Sequence, residues 1–314
     1  MSAAQTPAAS VTDDARRWAT KLGPVGAWSF DAERLSADEA REYARELETL
    51  GVPVIWIPES LGSKEIFAHS SILLAATRKL IVATGIANIW ARDPVAMANG
   101  QRALCEAYPG RFLLGLGVSH APVIKVRGQG AQWEQPLTHM RGYLDAMDKA
   151  PYTGKPADTP RLLAALGPKM LQLSAQRSLG AHPYFVPVEH TTIARKELGP
   201  RPLLAVEQAA VLATDAGTAR VAARRHMKRY LSLDNYANNL RRLGWTDADL
   251  VEGGSDALVD AIVVWGDAAT IRKRVDDHLS RGADHVAVQV VRTDLEQTAS
   301  LEWRSLAPAL LRGR

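Results

Sequence analysis

Three short segments carry residue types whose spacing suits ligand chemistry. Gly115-Leu116-Gly117-Val118-Ser119-His120 ends an apolar run with two glycines one residue apart, which lets a planar ligand lie close to the backbone. It is not a dinucleotide fingerprint: His120 takes the place of the third glycine of G-x-G-x-x-G, and no P-loop lysine follows. A tight strand-to-loop turn accounts for the same glycines. In Gly167-Pro168-Lys169-Met170 an apolar run gives way to a proline suited to the first helical position. The amides of Lys169 and Met170, the helix dipole and the Lys169 ammonium would together attract an anion, although proline opens many helices that bind nothing. The third segment, Ala83-Thr84-Gly85-Ile86-Ala87-Asn88-Ile89, sets a glycine and an asparagine inside a strand-like run. A strand glycine marks a bulge or the close approach of another group, and packing relief is its plain explanation.

Among the eight histidines, His120 is the one best placed for proton transfer. His69 and His139 sit in helix-like context and read as structural or surface residues. Neither H-E-x-x-H nor G-x-S-x-G occurs, so no metal site and no serine nucleophile elbow are expected.

The elements that must position these groups alternate along the chain. Apolar runs over residues 22–28, 54–57, 80–89, 111–118, 162–166, 181–186, 203–213 and 285–291 read as strands buried on both faces. Helix-period stretches separate most of them. Ser36 and Glu39 have the spacing of a capping box opening a helix that Gly51 closes. Gly266-Asp267 and Gly282 frame another. Eight strands alternating with helices predict an α/β fold, a single (β/α)8 TIM barrel. The spans 120–160 and 224–262 exceed simple connections, and are expected as insertions after strands 4 and 7 that shape a pocket.

Composition narrows the function further. The 314 residues are 46% hydrophobic and 23% charged, as in ordinary globular proteins. The net charge of +4 is scattered, with no basic run interleaved with aromatics, so a nucleic-acid partner is not expected; the surplus would suit a polyanionic small ligand, although a solvated surface accounts for it as well. The single cysteine, Cys105, rules out an internal disulfide. Residues 1–20 read as a flexible tail ahead of a single domain over 21–314, without the apolar core of a signal peptide. No run reaches the roughly 18 apolar residues of a membrane span, and a cytoplasmic location is expected.

Together these segments resemble the luciferase-like monooxygenase superfamily, specifically its F420-dependent oxidoreductase branch, over about residues 23–291. The densest likeness runs from Ala91-Arg92-Asp93-Pro94-Val95 to Pro109-Gly110-Arg111-Phe112-Leu113-Leu114-Gly115-Leu116-Gly117-Val118. Val54-Ile55-Trp56-Ile57-Pro58-Glu59 looks like the family's second strand, and Gly167-Pro168-Lys169-Met170 like its phosphate loop.

The resemblance implies a bacterial-luciferase-like barrel, commonly a homodimer, with a tricyclic ring across its C-terminal mouth. It implies a non-prolyl cis peptide at Gly85–Ile86, with Asn88 reaching the polar edge of the ring and Gly117, Val118 and Ser119 lining it. The cofactor phosphate would rest on Gly167, Pro168, Lys169 and Met170. Many relatives end the second strand in Asp-His or Glu-His, whereas Glu59 is followed by Ser60. Glu59 is then either a proton-handling carboxylate or a brace at the mouth, and His120 becomes the candidate proton donor. Trp28 and Glu207 are candidates for the substrate pocket.

The implied activity is hydride transfer between coenzyme F420 and a small organic substrate. An FMN-dependent monooxygenase and a cofactor-binding barrel without catalysis are the alternatives.

Overall fold

The computed structural model describes residues 11–127, 135–155, 157–296 and 300–311. The short apolar runs form parallel strands: β1 (Val25–Trp28), β2 (Val54–Ile57), β3 (Ile81–Thr84), β4 (Ala87–Asn88), β5 (Phe112–Gly117), β6 (Arg161–Leu163), β7 (Gly180–Ala181), β8 (Leu203–Leu212), β9 (Val263–Gly266) and β10 (His285–Val290). They are hydrogen-bonded in the order β10-β1-β2-β3-β5-β6-β7-β8, and β10 also pairs with β8, which closes the barrel. β3 and β4 together form one stave, interrupted at Gly85–Ile86. The expected continuous strand over 80–89 is therefore two pieces.

The run over 22–28 is a strand only from Val25 and that over 162–166 only to Leu163, and two larger differences follow. The run over 181–186 stays in the sheet only to Ala181, and Phe185 is left-handed at φ 58°. β9 was not expected at all; it pairs with the C-terminal half of β8, from Ala209↔Val263 to Leu212↔Gly266.

Inside the barrel, Trp28, Val54, Trp56, Ala83, Leu113, Leu162, Ala205 and Ala287 pack into one cluster, drawn from alternate strand positions as barrel interiors require. Ala15, Trp18 and Leu22 join that cluster from the helix Val11–Leu22. The expectation of a tail through residue 20 is thus corrected: from Val11 the chain is helical, and its apolar stripe is buried. A second, larger cluster lies between the strands and the outer helices.

The Ser36–Glu39 capping box is formed, with Ser36 N–H donating to Glu39 at 2.8 Å. After β5 come the helices Ala121–Val126 and Pro136–Asp148; residues 128–134 and 156 of that expected insertion lie outside the described residues. After β8 come Ala216–Leu231, Asp234–Arg242, Asp247–Leu250 and Asp256–Ile262. Among the described residues, no helix is long and apolar enough to cross a membrane.

Candidate functional site

A cavity of about 610 Å³ opens where the strands end, between the barrel mouth and the insertion after β8. Gly85 and Ile86 form part of its lining, and the peptide joining them is cis. Thr84 Oγ1 accepts from the Gly115 amide at 2.8 Å and donates to the Gly115 carbonyl at 2.7 Å, pinning β3 to β5 just below the interruption. Gly117 is a true cradle: an added Cβ would lie 2.5 Å from Ile86 Cδ1. Val118, Ser119 and His120 continue the same wall.

At one end of the cavity the helix Pro168–Arg177 begins with Gly167 as N-cap and no capping side chain. Of the two amides expected to face an anion, that of Met170 is taken by the Gly167 carbonyl at 3.1 Å. Lys169 lines this end of the cavity, joined by Arg242, whose Nη2 stands 3.6 Å from where a Gly167 Cβ would be. Helix dipole and two cations make this the anion-attracting end.

Another part of the lining is aromatic. Trp28 packs on Phe30 (centroids 4.7 Å apart) and on Tyr184 (5.1 Å), and Tyr184 leads to Tyr230 (5.2 Å) and Tyr236 (6.2 Å). Beneath it, His182 stacks on Trp56 at 4.4 Å, and its Nδ1–H donates to the Ala205 carbonyl at 2.8 Å. A carbonyl only accepts, so Nδ1 carries the proton and Nε2 a lone pair. Burial pushes the His182 pKa down to about 4, keeping the ring neutral. Trp28 Nε1 and His182 Nε2 are buried without a partner among the described residues and converge on Gly85, 2.6 and 3.2 Å from an imagined Cβ there. A buried donor and acceptor left unmatched beside a cavity suit a ligand with a polar edge.

His120 is brought into the cavity wall as expected. Its Nδ1 bonds Asn235 Oδ1 at 3.0 Å, so Nε2 is the lone-pair nitrogen. Burial lowers its pKa, the Asn235 bond opposes that, and Arg229 adds to the lowering. At neutral pH the ring is therefore uncharged and offers an acceptor at Nε2, rather than the expected donor. Replacing Asn235 by leucine should move the His120 midpoint lower still, read from its imidazole proton resonances.

Glu59 reaches the cavity rim but is fully engaged. Arg92 grips both carboxylate oxygens, one at 3.1 Å, and the Asn88 amide donates to Oε2 at 2.7 Å. This is the geometry of a brace. Asn88 and Glu207 are corrected more strongly. Asn88 is 1% exposed and absent from the cavity lining, because its Oδ1 accepts from the Trp90 amide at 3.0 Å and turns the side chain into the loop. Glu207 lies inside the barrel below the tyrosines, its Oε2 bonded to the Phe185 amide at 3.0 Å.

Sequence reasoning missed His182, Tyr184, Arg229, Tyr230, Asn235, Tyr236 and Arg242, all in the lining. The last five come from the insertion after β8, which carries no motif. Their only signal was the length of that insertion.

The family model for luciferase-like monooxygenases matches residues 21–285. A 5,10-methylenetetrahydromethanopterin reductase of Methanolobus tindarius is 28% identical over 186 residues, 51% of this chain and 56% of the relative. The chain spans about half the length of the curated relatives it matches. An F420-dependent secondary alcohol dehydrogenase, solved with an F420–acetone adduct, superposes with a TM-score of 0.74 at 16% identity, over 92% of this chain and 99% of that one. The oxygenating constituent of 3,6-diketocamphane monooxygenase from Pseudomonas putida, solved with FMN, does so at 0.65 and 16%, over 93% and 97%. At such identities the two structures speak for the fold alone.

Proposed function

The chain belongs to the luciferase-like monooxygenase family, and from that premise we propose that it is a coenzyme F420-dependent oxidoreductase acting on a small organic substrate. The observation that carries the reading is the cavity itself, lined by a glycine cradle, a cationic helix start and a group of aromatic rings. A flat cofactor with an anionic tail fits that division. Gly117 and Ile86 would support the ring, while Lys169, Arg242 and the Gly167–Met170 helix start would hold the phosphate.

When bound, the deazaflavin supplies or accepts the hydride. The protein's share is placement and proton handling. The aromatic wall would exclude water from the reacting carbon, and His120 Nε2 offers an acceptor to a polar group of the bound substrate. The buried Trp28 Nε1 and His182 Nε2 would be available to the polar edge of the ring.

The test is a pair of titrations of the purified chain, with F420 and with FMN, followed by tryptophan fluorescence and melting temperature. F420 is expected to quench fluorescence and raise the melting temperature at concentrations where FMN does neither. Charge-assisted hydrogen bonds contribute about 1.5–3 kcal/mol each, so Lys169→Ala and Arg242→Ala should each weaken F420 binding roughly tenfold or more. Binding of FMN alone would favour the monooxygenase reading, and binding of neither would leave a barrel without cofactor.

A further inference from the structure

Ser60 lines the cavity, and its hydroxyl is hydrogen-bonded to Glu33. Ser60 Oγ donates across both Glu33 oxygens, at 3.2 Å each. Glu33 belongs to the single helical turn Asp31–Arg34 that follows β1, while Ser60 follows β2. The two loops are locked together by Lys64, whose Nζ donates to the carbonyls of Ala32 (3.4 Å), Glu33 (2.7 Å) and Leu35 (2.6 Å). Arg292 fixes the start of the same turn through Asp31 at 2.6 Å. So much fastening holds one carboxyl against one cavity hydroxyl, yet among the described residues no cation pairs with Glu33 within 4.0 Å.

From this arrangement we propose that Glu33 and Ser60 form the proton relay of the active site, with Ser60 Oγ exchanging the proton with the substrate and Glu33 acting through it. The inference rests on the oxidoreductase reading above.

The relay follows from the donor and acceptor inventory of the two groups. An ionised Glu33 can only accept, so the Ser60 hydroxyl proton points at it and the free lone pairs of Oγ face the cavity. A protonated Glu33 donates to Oγ, and the serine hydrogen is released to turn inward. One site therefore takes a proton from a substrate hydroxyl or gives one to a substrate carbonyl, according to the state of Glu33. In the reducing direction the carbonyl carbon gains the hydride from the cofactor and its oxygen gains the Ser60 proton. Glu33 replaces that proton on Oγ, and water restores Glu33, balanced by the proton the oxidised cofactor releases. The oxidising direction runs the same transfers backwards.

Glu33 is poised for both directions. Burial raises its pKa to about 7, opposed by the hydroxyl and amide of Ser60 and by the charges of Arg34 and Arg229. The Lys64 ammonium, held by backbone carbonyls, and Arg292, paired with Asp31, are further charged groups at this turn.

Two readouts test the relay. In the protein without cofactor, the 13C signal of the Glu33 carboxyl should titrate near pH 7 and move upward in Ser60→Ala, which removes an acceptor-stabilising bond. In the loaded enzyme, the single-turnover hydride-transfer rate should fall roughly 100-fold in Glu33→Gln and in Ser60→Ala, within the range of general acid–base catalysis. Ser60→Thr, which keeps the hydroxyl, should stay within about fivefold of the wild-type rate. The inflection near pH 7 should vanish from the rate profile of Glu33→Gln and persist in His120→Gln.

A wild-type enzyme that transfers hydride while Glu33→Gln keeps both its rate and its inflection overturns the relay and leaves the oxidoreductase reading standing. An inflection lost in His120→Gln instead assigns the proton to His120 and overturns the relay as well. Absence of any hydride transfer by the wild-type protein removes both readings together. Melting temperatures near wild type for each variant confirm that the rates report chemistry.

Discussion

Gly115→Ala should abolish folded protein, whereas Gly117→Ala, two residues along the same strand, should leave the barrel intact and remove most of its affinity for the cofactor. The difference lies in what a new methyl group would meet. At Gly115 it would lie 2.0 Å from the Thr84 carbonyl oxygen, a backbone atom in the neighbouring strand. That strand cannot yield without breaking both hydrogen bonds between Thr84 Oγ1 and Gly115. At Gly117 the obstacle is the end of a side chain, Ile86 Cδ1 at 2.5 Å and Cγ1 at 2.6 Å. Ile86 lines the cavity, so it can swing inward, into the space assigned to the ring.

Overpacking of this kind costs about 1–3 kcal/mol. Transferred to the ligand, that is a loss of roughly 5- to 150-fold in Kd. Soluble yield and circular dichroism check the first variant, and melting temperature with an F420 fluorescence titration the second. Unchanged F420 affinity in a folded Gly117→Ala would place the ring elsewhere in the cavity.

The same pair of glycines shows which parts of this molecule could be read from sequence. Buried parallel strands declare themselves as apolar runs, so most of the staves were legible, and the capping box at Ser36 fixed a helix start. Gly85, Gly117 and Gly167 were legible because each sits where an apolar run ends or breaks, and all three line the cavity. The chain after Ala181 was not. Pro183, Tyr184 and Phe185 continue an apolar pattern while leaving the sheet, so periodicity could not show that His182 and Tyr184 turn into the cavity.

Tyr230, Tyr236 and Arg242 lie on helices whose apolar faces would look alike whether they met a core or a ligand. Asn88 failed for a local reason: an asparagine before a turn often satisfies a nearby amide, and here it bonds that of Trp90. The helix Val11–Leu22 was hidden by its polar composition, although Ala15, Trp18 and Leu22 already have the spacing of one helical face.

Glu207→Gln should make the protein markedly more stable than wild type at pH 8.5 and leave it nearly unchanged at pH 5. Glu207 is 2% exposed on the inward side of β8, one oxygen bonded to the Phe185 amide and the other, Oε1, without a protein partner. Burial raises its pKa to about 8 from an ordinary value of 4.5, with the Phe185 amide pulling the other way. Between those two values the folded chain holds a proton that the unfolded chain has released. Stability must then fall as pH rises, by about 1.4 kcal/mol per pH unit and on the order of a few kcal/mol across the window. Glutamine keeps the shape and removes the titration. Glu33, raised to about 7, adds a decline of the same sign over a narrower window, which the Glu207 variant retains.

The buried histidines act oppositely. Burial lowers His69, His182 and His226 to about 4 and His278 to about 3, so below pH 6.5 the unfolded chain takes up protons that the folded one refuses, and stability falls as pH drops. The two windows overlap, so wild-type stability should peak near the unfolded histidine value of about 6.5, and Glu207→Gln should gain on wild type increasingly from pH 5 upward. Urea unfolding at half-unit steps from pH 5 to 9 separates the limbs. Parallel curves for variant and wild type over that range would mean that Glu207 is already ionised in the folded barrel, with a compensating partner inside it.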